Sequence, residues 1–124
     1  MADIEKTEKN DISVIQNEIR VLEKKIKSLN NEANTIDYIL QGIEKHKTEL
    51  ESKIYTYRSN LNLSSEPEDN SEKLREEINE MAINYNKSDD LYQSLSSKLS
   101  RIKDRIAIKN QELSNKKAEL RGYM

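Results

Sequence analysis

No cysteine, tryptophan or phenylalanine occurs in this chain, and it holds only one proline and two glycines. Without cysteine there is no disulfide framework and no thiolate metal site. With Tyr as its sole aromatic, six in all, the chain lacks the bulky side chains that fill a globular core of usual size. Disordered segments are commonly rich in proline and glycine, so their scarcity argues against disorder as well. A strong charge bias is also missing. The net charge is −2, whereas general nucleic-acid binding calls for a basic footprint. The opening residues MADIEKTEKND are acidic and polar and do not form a Sec signal peptide. No apolar run approaches membrane-spanning length. Together these absences point to a cytoplasmic protein, or to one exported by a route without a Sec signal, with no membrane insertion.

What remains is rich in Glu, Lys, Leu, Ile, Asn and Ser, with 35% charged and 34% hydrophobic residues over 124 positions. That composition suits long helices burying one narrow stripe. The apolar spacing bears this out. From Ile12, alternating steps of three and four visit Ile15, Ile19, Leu22 and onward to Tyr57 and Leu61, and only Lys47 along the way is polar. From Leu74 the same steps reach Tyr123 with three polar interruptions, Ser88, Lys109 and Lys116. An average spacing of 3.5 residues is that of a left-handed coiled-coil seam. Ile12 takes position a and Ile15 position d.

Between the two runs lies NLNLSSEPEDNSEKL, with the only proline, Pro67, and a cluster of turn formers. Ser65 and Glu68 have capping-box spacing, and Asp69 and Ser71 are alternative caps. The expected fold is therefore all-α: one hairpin domain over residues 1–124, with helix 1 over about 8–62, a turn over about 63–70 and helix 2 over about 71–121. A domain-swapped dimer with one continuous helix is the alternative, against which Pro67 and its neighbours argue. Folding the chain at this turn pairs Leu61 with Leu74. The next layers are Tyr57 with Ile78, Leu50 with Tyr85, Leu40 with Leu95 and Ala33 with Ile102. Every a position then meets a d position, as an antiparallel coiled coil requires. Each arm would be about 75 Å long at about 1.5 Å per residue. The flanking charges support the register only in part. Glu32 faces Arg105 and Lys25 faces Glu112, but Glu44 faces Asp89 and Arg58 faces Arg75.

The stretch IDYILQGIEKHK gathers Gly42, His46 and the seam lysine Lys47. In the antiparallel register Lys47 is layered with Ser88, so two seam breaks coincide in one polar layer. A buried polar layer can fix register at some cost in stability. Gly42 falls at solvent-facing position c and His46 at flanking position g.

The residues carry no catalytic constellation. There is no phosphate-cradling glycine loop, no nucleophile elbow and no second histidine for a metal. Glu76, Glu77 and Glu80 read as a solvated acidic face, and the lysines and arginines from Lys98 to Arg121 as a charged helix face balanced by the acidic segment 66–80. The chain is thus expected to be neither an enzyme nor a nucleic-acid binder, to take no cofactor or metal, and to have no small-molecule substrate. A two-helix hairpin buries little on its own, and this one has spare apolar residues off the seam. Val14, Val21, Ile39, Leu91 and Ile108, together with His46, are the candidate residues for binding a helical protein partner or a second copy.

Length, acidity, the lack of cysteine and of a Sec signal, and two helices about a central turn are joined by the C-terminal stretch YNKSDDLYQSLSSKLSRIKDRIAIKNQEL. In these features the chain resembles the small helical-hairpin proteins of Gram-positive type VII secretion, the WXG family and the partner proteins encoded beside LXG toxins. The resemblance implies a non-catalytic, chaperone-like targeting factor that binds the N-terminal helices of a toxin and helps target it for export. Tyr85 is explained as a seam residue opposite Leu50. The competing expectation is a structural coiled-coil subunit, a scaffold or tether, of a larger assembly. A prefoldin-like chaperone would need β-hairpins, for which the break from Leu61 to Ser71 is too short.

Overall fold

In the computed structural model the backbone is described over residues 2–63 and 68–123, and the side chains over 8–61 and 71–123. Two helices, α1 (Ala2–Leu63) and α2 (Glu68–Arg121), pack against each other as an all-α hairpin. α1 begins earlier than the seam predicts, and α2 begins at Glu68, within the span of starts that the candidate caps from Ser65 to Ser71 allow. Residues 2–7 and 68–70 hold no glycine or proline and include four acidic residues, a composition free of helix breakers and suited to a helix N-terminus. Such segments extend a helix without showing any apolar period. Ser65 and Pro67 lie outside the described residues, and Asp69 and Ser71 fall inside α2 rather than capping it. At the other end, the amide of Gly122 donates to the carbonyls of Ala118 and Glu119 at 3.2 and 3.1 Å, and that of Tyr123 to Leu120 at 3.0 Å. These bonds satisfy carbonyls that a helix end would otherwise leave open.

The chain packs as two compact units, Met1–Thr35 with Leu99–Met124, and Ile36–Lys98. In the first, Ile15, Ile19, Leu22 and Ala33 of α1 and Leu99 and Ile102 of α2 are buried. Ile26, Leu29, Ile106 and Leu113 are half-buried beside them. Two seam positions of α2 here are lysines, and both turn their ammonium groups to carboxylates. Lys116 Nζ lies 2.6 Å from Glu18 Oε2 on α1 and 3.3 Å from Glu119, and Lys109 Nζ lies 3.3 Å from Glu112. The aliphatic stems can then cover apolar surface while the charges stay wet. Glu18 is one residue from Ile19, the expected layer partner of Lys116, so the two helices of this unit run antiparallel close to the expected register.

In the second unit Ile36, Leu40 and Leu50 of α1 and Ile78 of α2 are buried, with Ile43, Ile54, Tyr57, Met81, Tyr85, Tyr92 and Leu95 half-buried. Lys47 is buried among them, 8% exposed. Among the described residues no large side chain is wholly enclosed. That is the expected limit of a core made from one stripe on each of two helices.

Candidate interaction surface

An interaction surface on such a fold must come from positions beside the seam, because the seam itself is spent on the partner helix. In the first unit, Leu29 at position d lies at the bottom of an open groove of about 480 Å³, whose other lining residues are Lys25, Ser28, Arg105, Ile108 and Lys109. Ile108 is 58% exposed. The heptad explains the grouping: Lys25 and Arg105 are g positions, Ser28 and Ile108 are c positions, and in an antiparallel pair the c and g positions of both helices share one flank. Lys109 is engaged with Glu112. Lys25 and Arg105 make no ion pair among the described residues, so the groove presents two uncompensated cations beside apolar surface. The expected attraction between Lys25 and Glu112 is not made, because Glu112 instead meets Lys109 one turn away on its own helix.

A smaller groove of about 270 Å³ on the same flank is lined by Asn17, Glu18, Val21, Leu22, Glu112 and Lys116. Val21 is 42% exposed and Val14, two helical turns N-terminal at the same heptad position, 55%. Of the six residues picked from sequence as partner-binding, this unit holds Val14, Val21 and Ile108. The other three, Ile39, His46 and Leu91, belong to the second unit and are all exposed there.

The second unit contains the polar layer. Lys47 Nζ donates to Asp89 Oδ1 at 2.7 Å and lies 3.8 Å from Glu44 Oε2. The ring centroids of Tyr92 and Tyr85 are 4.9 and 5.5 Å from the same nitrogen. The hydrogen bond to Asp89 is the main reason the Lys47 pKa lies above its ordinary value; burial opposes it, and Glu44 and Tyr85 add to it. The same bond is the main reason the Asp89 carboxyl lies below its ordinary value, with a smaller contribution from Gln93. Likewise the hydrogen bond to Glu18, then that to Glu119, raises Lys116. Ser88, the layer partner expected from register, is half-buried, but the lysine reaches past it to its neighbour. Glu44 and Asp89, which face each other as like charges in the sequence register, are reconciled by the ammonium that contacts both. Sequence reasoning missed Asp89, Tyr85 and Tyr92 as partners of this lysine. The signal was available: an aspartate directly after the polar seam residue, with tyrosines at the flanking seam positions of α2.

Glu76, Glu77 and Glu80 lie on exposed surface. Among the described residues no group of three or more His, Cys, Asp or Glu could hold a metal ion. No described helix is long and apolar enough to cross a membrane. No protein-family model, curated protein or solved structure matches the chain.

Proposed function

We propose that this chain is a non-catalytic protein–protein interaction module that receives an amphipathic helix of another protein on the c/g flank of its first unit. The observation that supports this best is the line Val14, Val21 on α1 beside an open groove reaching Leu22, on a protein whose seam is otherwise covered. Two exposed valines one heptad apart match the period at which an incoming helix presents its apolar side chains. The resemblance to type VII partner proteins supplies the biological setting of this reading: a chaperone-like factor that holds the N-terminal helices of a toxin for export. Photo-crosslinking from Val21 in the native host tests it, with Tyr38, which is 79% exposed and off this flank, as control position. Capture from Val21 but not Tyr38 of a protein whose crosslinked segment is helical, lost in Val14→Asp, is the expected result. Capture in the type VII setting identifies a toxin N-terminus. Equal capture from both positions, or none, overturns the reading.

A further inference from the structure

Two stripes on α2 have the same spacing and opposite character. Arg101, Arg105, Ile108 and Glu112 follow one another at steps of four, three and four, which keeps them on one face of a helix. Glu76, Glu80, Ile83 and Lys87 repeat those steps. The first stripe reads cation, cation, apolar, anion. The second reads anion, anion, apolar, cation. All eight residues are exposed, with Ile108 at 58% and Ile83 at 54%. Within its own helix each stripe holds a like-charged pair four residues apart, an arrangement that costs helix stability. Glu76, Glu80, Lys87, Arg101 and Arg105 make no ion pair among the described residues. Five charges therefore stand at regular spacing with no ion-pair partner among the described residues, around two exposed isoleucines.

We infer that these stripes bind each other between two copies of this chain, with α2 of one copy parallel to α2 of the next and displaced by 25 positions (101 against 76). In that register Glu76 meets Arg101, Glu80 meets Arg105, Ile83 meets Ile108 and Lys87 meets Glu112. Antiparallel docking of the same stripes would place Lys87 on Arg101 and Glu76 on Glu112, so charge selects the parallel orientation. The displacement corresponds to a stagger of about 37 Å at about 1.5 Å per residue. Each copy uses two different surfaces, so the contact is heterologous and association continues past two copies instead of stopping at a dimer. One turn of Ile–Ile contact with three rim ion pairs is a small interface, so assembly belongs to the micromolar range and weakens with salt. The inference goes beyond the reading given above: its basic stripe shares the c/g flank of the first unit with that reading, but its occupant is α2 of a second copy and not a foreign helix.

Sedimentation equilibrium of the full chain, from low to high micromolar and at low and high salt, tests it. The weight-average mass is expected to rise beyond two copies with concentration and to fall in high salt. Arg101→Glu with Arg105→Glu should raise the half-assembly concentration at least about tenfold by setting like charges opposite one another. Adding Glu76→Arg and Glu80→Arg to the same chain should restore assembly. Circular dichroism shows whether each variant is still helical. A further pair keeps the test sound should the reversed charges unfold the chain. One copy carries Glu80→Gln and Ile83→Ser, the other Arg105→Gln and Ile108→Ser. Each alone should remain monomeric, and the mixture should stop at two chains. A monomer at every concentration, assembly indifferent to Arg101→Glu with Arg105→Glu, or failure of the reversed chain to reassemble overturns the inference. Absence of self-association together with specific capture from Val21 would remove this inference alone. Capture failing while the mass rises would remove only the earlier reading.

Discussion

Lys47 Nζ sits 2.7 Å from Asp89 Oδ1, joining the two helices of the second unit through a lysine that is itself only 8% exposed. A seam lysine needs such a partner, since an unpaired buried ammonium is costly. The same principle gives the pair an asymmetric mutational signature. Asp89→Ala leaves the ammonium with Glu44 and two tyrosine faces and should lower the melting temperature. Lys47→Leu supplies an apolar seam residue and frees a half-exposed carboxylate to water, so it should raise the melting temperature. Thermal unfolding of the two variants checks the order Lys47→Leu above wild type above Asp89→Ala. If Lys47→Leu melts below wild type, the lysine stabilises the fold in its own right and the burial argument is wrong.

The register reading adds a second outcome for the same lysine. Lys47→Leu with Ser88→Leu makes that layer apolar on both helices, removing the feature that distinguishes it from its neighbours. Stability should rise further while the helices lose one constraint on their alignment. Cysteines placed at Leu50 and Tyr85, and separately at Leu50 and Ile78, report alignment by disulfide trapping. Wild type should trap only the first pair. Trapping restricted to that pair in the Lys47→Leu, Ser88→Leu background as well would show that the polar layer does not set register.

Acid and base act on this pair from opposite ends. Asp89 titrates below its ordinary value of 3.8, so the stability it contributes is complete above that pH and is lost as pH falls through the lowered value. Lys47 titrates above its ordinary value of 10.5, so its contribution is complete below that pH and is lost as pH rises through the raised value. The bridge should therefore leave a plateau between roughly pH 4 and pH 10. Melting temperatures across this range, in wild type and in Lys47→Leu, check the sign. The variant should lose less on acidification, because Asp89 no longer has a favoured charged form. Equal acid losses in both would mean that other carboxylates govern the acid limb.

Much of this was legible in the period of the sequence. Every seam position from Ile12 to Leu120 that the 3–4 steps select is buried or half-buried, and among those selected only Tyr123 is exposed. A repeat of 3.5 residues constrains burial so tightly because each seam side chain must enter the facing helix. The helix starts were less legible, since charged ends carry no period. The partner of Lys47 was missed because layer pairing counts positions, whereas a lysine has the length to pass its layer partner and reach the next carboxylate. Off-seam positions such as Val21 and Ile108 were recognisable as spare, but what flanks them depends on where lysine and glutamate side chains swing. Glu112 turning to Lys109 instead of Lys25 is such a case.

Burial also separates residues that look alike in the sequence. Ile15 and Ile102 are each 4% exposed, whereas Val14, next to Ile15 in the chain, is 55% exposed. Ile15→Ala and Ile102→Ala should each cost about 2–4 kcal/mol, through lost burial and the cavity left behind. Val14→Ala should stay within about 0.5 kcal/mol. Urea unfolding of the three variants gives the comparison directly. A Val14→Ala loss as large as that of Ile15→Ala would mean that this face is covered in solution.

Gly42 offers the last test, because its place on the helix makes no use of what glycine provides. Its φ is not positive, and a Cβ built there meets nothing within 4 Å. It sits inside α1, where glycine costs roughly 0.5–1 kcal/mol relative to alanine through backbone entropy. Gly42→Ala should therefore stabilise the chain by roughly that amount, read as a higher melting temperature with an unchanged helical spectrum. The gain should be the same with Lys47 or Leu at position 47, since residue 42 faces solvent and does not touch the polar layer. A destabilised Gly42→Ala variant would mean that something packs closely against this face in solution, and a gain that depends on residue 47 would tie the glycine to the Lys47–Asp89 bridge.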